Sequence, residues 1–242
     1  MPRIKVVFFD AAGTLFHVKG SVGETYLRHA EKYGVKRTGA MLESLNAAFQ
    51  RAFEDAPPPV FAVRDAAEIK RCERLWWFDL VHNVFYRVGM FEGFDEYFDE
   101  VFEAFSRPEL WALYPETLGT LQTLKRQGIE LGIVSNFDTR LFGLLRGLGL
   151  AELFDTVTIS SLAQSAKPAP KIFQHALEEH AADPEESLHV GDSIREDVEG
   201  ARAAGLTGIW VDRDGQSSSK PASPTIRSIP SLEPLPSLLT SL

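Results

Sequence analysis

A chain of 242 residues with 44% hydrophobic and 24% charged side chains can bury a substantial core, as one large domain or two small ones. Its net charge of -9 disfavours binding to nucleic acid or to anionic membranes. The single cysteine, Cys72, excludes an intrachain disulfide, and no apolar run reaches the length of a transmembrane span or of a secretory signal. We therefore expect a globular protein of the cytoplasm.

The first predicted element is a buried parallel strand. Residues 5–9 are mostly apolar. Asp10 follows them directly, and a Gly13-Thr14 turn comes next. A short, continuous apolar run before a breaker is typical of a strand that is covered on both faces. Because open α/β sheets bind ligands at the carboxyl ends of their strands, Asp10 is a candidate functional residue.

Residues 17–114 show no further buried-strand pattern and are expected to be helical. Apolar residues recur at helical spacing in four segments that end near glycine or proline: 22–33, 41–53, 65–88 and 96–105. Most of the aromatic residues lie in these segments, which indicates the core of a small helical bundle. One or two of the rings remain candidates for lining a substrate pocket.

From residue 114 onwards, helices and strands alternate. Strands are predicted at 129–134, 156–159, 188–190 and 208–211. Helices are predicted at 115–127, 138–148, 171–180 and 196–204. This alternation implies an α/β fold with a doubly wound parallel sheet. Residues 214–224 are expected to form a flexible loop, and the apolar tail 226–242 is expected to pack back onto the sheet.

Polar residues follow four of the buried segments. They are Asp10 with Gly13 and Thr14, then Ser135-Asn136, then Lys167, and finally Gly191-Asp192-Ser193 with Asp197. A topological switch point brings the carboxyl ends of neighbouring strands together. We therefore expect these residues to form one site.

In this order, the four clusters resemble the four motifs of the haloacid dehalogenase (HAD) superfamily. The stretches Phe-Asp-Ala-Ala-Gly-Thr-Leu and Ser-Asn-Phe-Asp-x-Arg-Leu are most similar to the subfamily IA, REG-2-like hydrolases. The resemblance covers nearly the whole chain. It implies a HAD-like, Rossmannoid core domain of residues 1–16 and 115–242, with a C1-type helical cap of residues 17–114. It also implies a hydrolase that uses Mg²⁺ and acts on a small phosphorylated metabolite.

The resemblance further implies a role for each motif residue. Asp10 would be the nucleophile that attacks phosphorus and forms an aspartyl phosphate. Lys167 would offset negative charge between the nucleophile and the phosphoryl group. The Ser135 hydroxyl and the Asn136 backbone N–H would bind phosphoryl oxygens, and Thr14 would either do the same or fix the turn.

The implied metal ligands are Asp10, Asp192 and the backbone carbonyl of Ala12, because Mg²⁺ prefers oxygen. Asp197 would hold the metal through water or anchor Lys167, unless it is simply an acid in the first turn of a helix, where the dipole favours it.

Three other charged residues are assigned structural roles. Glu196 is expected to be an acid of a first helical turn, and Asp138, with Arg140, is expected to start a helix.

Ala12 departs from the phosphatase pattern. Phosphatases of this superfamily carry a second Asp there, which protonates the leaving oxygen and later deprotonates the attacking water. A methyl group does neither. General acid–base catalysis contributes about 10²–10⁴ in rate, so an ordinary phosphomonoesterase without it is expected to be slow.

Three explanations of Ala12 stay open. A phosphatase could take its acid from His17, Glu24 or a cap residue, or use water with an activated leaving group. A phosphonatase, whose branch also has Ala here, would need a Schiff-base lysine in the cap, for which Lys70 is the candidate; Lys167 is atypical of that branch. A regulatory protein would keep the phosphate and Mg²⁺ site with little turnover. A dehalogenase is disfavoured, because that branch has an aromatic residue in this place.

Overall fold

The computed structural model describes residues 4–213 and 226–239. In this part of the chain the strands are β1 Val6–Phe9, β2 Phe16–Val18, β3 Trp111–Leu113, β4 Glu130–Ser135, β5 Thr156–Ile159, β6 Ser187–Gly191, β7 Thr207–Val211 and β8 Arg227–Ile229. Six of them form a parallel sheet in the order β5-β4-β1-β6-β7-β8, and β2 pairs with β3 as an antiparallel ribbon. The predicted α/β fold with a parallel sheet is confirmed.

The helices connect and cover these strands. In the described residues they are α1 Val22–Ala30, α2 Gly39–Asp55, α3 Ala66–Val88, α4 Phe94–Phe105, α5 Thr117–Arg126, α6 Arg140–Gly147, α7 Ser160–Ala163, α8 Pro170–His180, α9 Gly200–Ala203 and α10 Leu235–Leu239. A π-helical turn, Ile194–Glu199, leads into α9. None of the helices in the described ranges is long and apolar enough to cross a membrane.

Strand β1 lies inside the sheet and is covered on both faces. Val7 and Phe9 belong to an apolar cluster that includes side chains of α5, α6 and α10. Val6 and Phe8 belong to a second cluster with side chains of α8 and α9. Because successive side chains of a strand point to opposite faces, every position of β1 is apolar until the strand ends at Asp10.

Helices α1–α4 lie between β2 and β3 in the chain and have an apolar cluster of their own. Its largest fully buried side chains include Tyr26, Phe85, Tyr97 and Phe98. The rings of Phe85 and Tyr97 meet edge to face, with centroids 5.0 Å apart. The prediction that aromatic residues form the core of a helical bundle is therefore confirmed.

The prediction that residues 17–114 are helical throughout is wrong at both ends of that range. Strands β2 and β3 pair His17 with Ala112, and the ribbon links the helical segment to the sheet. Each strand is only three residues long, which is too short to give an alternating pattern.

Residues 196–204 are not the single regular helix that the sequence predicts. The N–H groups of Asp197 and Val198 both donate to the carbonyl of Ser193, at 2.9 and 3.3 Å, which widens the first turn. The other predicted elements agree with the structure to within about two residues at their ends, except that α1 ends at Ala30 and a 3-10 turn, Glu31–Tyr33, completes the predicted helix 22–33.

The apolar tail packs back onto the sheet as predicted, over the residues that are described. Strand β8 pairs with β7, and Leu232 and Leu235 belong to the core cluster on the α5 face. The predicted flexible loop, residues 214–224, lies outside the described residues.

Candidate active site

The carboxyl ends of three neighbouring strands meet at one edge of the sheet. Phe9 of β1 is in register with Ile133 of β4 on one side and with Val190 of β6 on the other. The backbone N–H of Asp10 donates to the carbonyl of Val190 at 2.9 Å. Because the strands end at the same level, residues that follow β4 and β6 lie beside Asp10.

Two side chains hold the Asp10 carboxylate. Ser135 Oγ donates to Asp10 Oδ1 at 2.9 Å, and Lys167 Nζ donates to the same oxygen at 2.5 Å. Burial raises the pKa of Asp10, and the charge of Lys167 opposes that rise. Neither contact uses Asp10 Oδ2, so this second oxygen can serve as a nucleophile.

Lys167 is buried between two carboxylates. Its Nζ lies 2.5 Å from Asp10 Oδ1 and 2.6 Å from Asp197 Oδ1. Burial lowers the pKa of a lysine, but the two carboxylates outweigh burial and raise the pKa of Lys167 above its usual value. Lys167 therefore keeps its positive charge beside Asp10.

Asp197 anchors Lys167 and is more than an acid of a first helical turn. Its Oδ1 also accepts a hydrogen bond from Nε2 of the buried His189 at 2.8 Å, and its Oδ2 accepts one from the N–H of Ser193 at 2.9 Å. Burial disfavours the ionised form, yet Lys167 and His189 hold the pKa of Asp197 well below its usual range. The sequence did not indicate a role for His189, because it lies within the mostly apolar segment that predicts strand β6.

Asp192 follows β6 and faces the turn after β1. Thr14 is fully buried and its Oγ1 lies 3.5 Å from Asp192 Oδ1, which favours a role in fixing the turn over binding phosphate. Gly13 has a φ of 89°, and a Cβ on it would lie 2.3 Å from Asp192 Oδ2. Only a glycine lets the turn approach the carboxylate this closely.

The carboxylates at this edge fit a divalent cation. One oxygen each of Asp10, Asp192 and Asp197 lies within 4.8 Å of the others. Asp192 is exposed to the cavity, and desolvation there together with the charges of Asp10 and Asp197 raises its pKa to about 7. Lys167 offsets one of three negative charges. Oxygen ligands with net negative charge are the environment that Mg²⁺ prefers.

Replacing Gly13 with Ala is expected to weaken Mg²⁺ binding about tenfold, because the added Cβ must displace the Asp192 carboxylate. Calorimetric titration with Mg²⁺ measures this change. Gly34→Ala is the matched control: Gly34 also has a positive φ, 86°, but a Cβ there meets nothing within 4 Å. Both variants carry the strain of a Cβ at positive φ, about 1–2 kcal/mol, and only Gly13→Ala should lose affinity. Equal affinities in the two variants would contradict the assignment of Asp192.

Asn136 fixes the loop that carries Lys167. Its Oδ1 accepts from the N–H of Lys167 at 2.8 Å, and its Nδ2 donates to the Lys167 carbonyl at 3.0 Å and to Glu196 Oε2 at 3.1 Å. The side chain is thus engaged within the protein, which leaves the backbone N–H as the group predicted to bind phosphate. Glu196 is an acid of a first helical turn, as predicted, and it also lines the site, where burial raises its pKa.

Arg213 clamps the turn after β1, a role that sequence analysis missed. Its guanidinium donates to the carbonyls of Gly13 and Thr14, at 3.2 and 2.6 Å, and to Glu116 Oε1 at 2.7 Å. It also lies 3.4 Å from the centre of the Tyr114 ring. These partners come together only in the folded chain, so no local spacing could have indicated them.

Of the named groups that could replace an acid at position 12, only His17 lies on the wall of the cavity above Asp10. Its Nδ1 lies 3.0 Å from the carbonyl of Val18. Glu24 is used elsewhere, because its carboxylate accepts from the N–H of Ser21 in a capping box that starts α1. Lys70 is exposed on α3 and lies outside that wall.

This cavity measures about 1260 Å³ and extends from the strand ends to the helical segment. The polar side chains described above form one wall. Apolar side chains from α1–α4, among them Phe49, Trp77 and Phe102, form most of the facing wall. The cavity is therefore far larger than a phosphate group needs.

Helix α3 contacts the loop after β4 directly. The buried Glu73 accepts hydrogen bonds from the N–H and the hydroxyl of Thr139, at 3.0 and 2.6 Å. Trp77 Nε1 donates to Asp138 Oδ2 at 2.6 Å, and Asp138 also accepts from the N–H of Arg140 at the start of α6, as predicted. These contacts hold the helical segment against the candidate site.

Known proteins match both the sequence and the fold. The sequence profile of the haloacid dehalogenase-like hydrolases matches residues 4–205. Haloacid dehalogenase-like hydrolase domain-containing protein 3 of Danio rerio is 32% identical over 98% of this chain and 96% of its own. Phosphoserine phosphatase of Thermus thermophilus is 39% identical over 53% of this chain and 52% of its own. The crystal structure of a HAD phosphatase from Thermococcus onnurineus matches with a TM-score of 0.64 and 25% identity, over 98% of each chain. With its four polar clusters gathered at the strand ends, this chain belongs to the haloacid dehalogenase-like hydrolases.

Proposed function

We propose that this hydrolase is a Mg²⁺-dependent phosphatase that acts on a small phosphorylated metabolite through an aspartyl phosphate on Asp10. One observation carries the proposal: the Asp10 carboxylate lies at the end of β1, 2.5 Å from the ammonium of Lys167 and 2.9 Å from the hydroxyl of Ser135. A nucleophilic carboxylate beside a fixed cation is suited to attack an anionic phosphoryl group. The similarity to two proteins described as phosphatases supports the same reaction class.

Each residue around Asp10 has a part in this reaction. Asp10 Oδ2 attacks phosphorus, and Lys167 offsets the negative charge of the phosphoryl oxygens. The Ser135 hydroxyl and the Asn136 backbone N–H bind those oxygens, while Asp197 keeps Lys167 in place. Mg²⁺, held by Asp10, Asp192 and the Ala12 carbonyl, supplies charge neutralisation at the phosphoryl group when bound.

The helical segment fits the role of a cap. We propose that residues 17–114 form a C1-type cap over a core domain of residues 1–16 and 115–242, in the manner of the subfamily IA, REG-2-like hydrolases. The contacts of Glu73 and Trp77 with the loop after β4 support this, since closure over Asp10 excludes water from the reaction. The single cysteine is in keeping with a cytoplasmic location.

Removal of divalent cations tests the proposal. Phosphate release from a panel of phosphate esters is expected to fall by about 10²-fold or more in EDTA, because a bound metal contributes several kcal/mol of charge stabilisation. Added Mg²⁺ should restore the rate, and circular dichroism should show the same fold throughout. Release that persists in EDTA would contradict the role of Mg²⁺. No release from any ester, by either the wild type or an Ala12→Asp variant, would contradict the phosphatase itself.

Ala12 favours a second candidate, a binding or regulatory protein with little turnover. Tight binding of a phosphorylated ligand without phosphate release would support it. The phosphonatase alternative has less support, because Lys70 is exposed and Lys167 is the only lysine among the described residues of the cavity wall. Cleavage of phosphonoacetaldehyde that is lost in Lys70→Arg would revive that alternative.

A further inference from the structure

The apolar wall of the cavity is built from aromatic side chains that are not fully covered. Half-buried or exposed rings from α2, α3 and α4, together with one from the loop after β4, face the space above Asp10: Phe49, Phe53, Trp77, Phe102, Phe105 and Phe137. Phe53 is 46% exposed. Rings that border an open cavity can bury further surface only against a bound group, and flat groups stack well on them.

The cation on this wall is already neutralised. The guanidinium of Arg140 lies 4.2 Å from the centre of the Phe102 ring and 5.0 Å from that of Trp77. It donates to both carboxylate oxygens of Asp138, at 2.9 and 2.6 Å. Arg140 therefore has little positive charge to offer a second anionic group on the substrate. The other arginine on the cavity wall, Arg195, lies on the π-helical turn after Asp192 and not among the aromatic rings.

The other end of the cavity has no acid at position 12. His17 lies on the same wall, but its Nδ1 lies 3.0 Å from the carbonyl of Val18. Ala12 lies on the wall beside Asp10 and presents only a methyl group. A leaving oxygen that departs without a proton must be stable as an anion. Phenolic oxygens meet that condition, since their pKa lies near 10, and aliphatic alkoxides do not.

From the aromatic wall, the paired Arg140 and the methyl of Ala12 together, we propose that the substrate is an aryl phosphate monoester. This inference rests on the proposed phosphatase function and specifies its leaving group. Asp10 Oδ2 bonds to phosphorus as the bond between phosphorus and the aryl oxygen breaks. The bonding pair leaves on that oxygen, which departs as a phenolate and takes a proton from solvent. Water then attacks the aspartyl phosphate, loses a proton to solvent, and releases inorganic phosphate and the Asp10 carboxylate.

The test measures kcat/KM for phenyl phosphates whose phenols differ in pKa, and for alkyl phosphates including phosphoserine. In the wild type, kcat/KM is expected to fall steeply as the pKa of the leaving alcohol rises, with alkyl esters slower by about 10²–10⁴-fold. Ala12→Asp should flatten this dependence. Equal or faster cleavage of phosphoserine by the wild type would overturn the aryl assignment and leave the phosphatase intact. No phosphate from any ester with either protein would overturn both.

A pocket variant tests the aromatic wall separately. Phe53→Ala should raise KM for phenyl phosphate about 3- to 10-fold and leave KM for acetyl phosphate unchanged, because only the phenyl ring reaches the wall. Tyr86→Ala is the matched control: Tyr86 is 77% exposed on α3 and lies outside the cavity wall. Both residues are exposed enough for truncation to leave the fold intact, which thermal melting verifies. Equal KM values for phenyl phosphate in the two variants would contradict the aromatic contact.

Discussion

Asp10→Asn is expected to abolish phosphate release, with kcat reduced by about 10⁴-fold or more, as is found when a nucleophile is removed. The amide keeps the size of the carboxylate and can still accept the hydrogen bond of Ser135, but it cannot attack phosphorus. Lys167 retains Asp197 as a partner at 2.6 Å, so the buried ammonium stays paired. The lost activity should therefore appear without a large change in melting temperature.

Asp155→Asn is the matched control for that variant. Asp155 also pairs with a lysine, Lys125 at 2.8 Å, but it precedes β5 and lies outside the wall of the cavity. Its substitution should leave kcat unchanged. Residual turnover in Asp10→Asn close to that of Asp155→Asn would show that Asp10 is not the nucleophile.

Ala12→Asp is expected to raise the turnover of alkyl phosphate esters by about 10²–10⁴-fold, the usual contribution of a general acid and base. Ala12 lies on the cavity wall two residues after Asp10, so a carboxyl group there can reach both the leaving oxygen and the attacking water. The gain in kcat should appear for both classes of ester, because the new base also speeds hydrolysis of the aspartyl phosphate. The gain in kcat/KM should be smaller for aryl esters, whose leaving groups need no proton. Steady-state phosphate release measures both.

Ala12→Asn separates proton transfer from shape. The amide has nearly the volume of the carboxyl group but cannot act as a general acid or base at neutral pH. We expect it to leave turnover at the wild-type level. A rise in Ala12→Asn equal to that in Ala12→Asp would show that filling the space, and not acid–base chemistry, limits the wild-type reaction.

Local patterns in the sequence were enough to predict the sheet and the place of Asp10 at the end of β1. The apolar run of β1 is continuous because the strand is covered by helices on both faces, and Asp10 is the first residue beyond that cover. The alternation of helix and strand makes the strands parallel, so the motif residues that follow them lie at the same edge of the sheet. Ser135 and Lys167 consequently contact Asp10 directly, and Lys167 also contacts Asp197.

Contacts between distant parts of the chain could not be predicted in this way. Arg213 reaches the Gly13 turn, and Glu73 of α3 caps the backbone at Thr139, with no periodic signal for either. Glu196 was assigned only to a helical turn, because its position beside Asn136 depends on the π-helical turn. Such residues are set by tertiary packing, which pattern and propensity do not encode.

The absence of a base at Ala12 has a kinetic consequence. With an aryl ester, Asp10 can be phosphorylated without an acid. Hydrolysis of the aspartyl phosphate is then slow, because no residue at position 12 activates the attacking water. Hydrolysis of the intermediate should therefore limit the wild-type reaction. A burst of phenol release, followed by a slower steady state, would be the kinetic sign.

The most direct measurement is rapid acid quenching of the wild type during turnover of radiolabelled phenyl phosphate, followed by peptide mapping of the bound label. We predict label on Asp10 at a large fraction of the enzyme, and a much smaller fraction in Ala12→Asp, where the intermediate is hydrolysed faster. Turnover with label on another residue, or with no label on the protein, would contradict an aspartyl phosphate on Asp10.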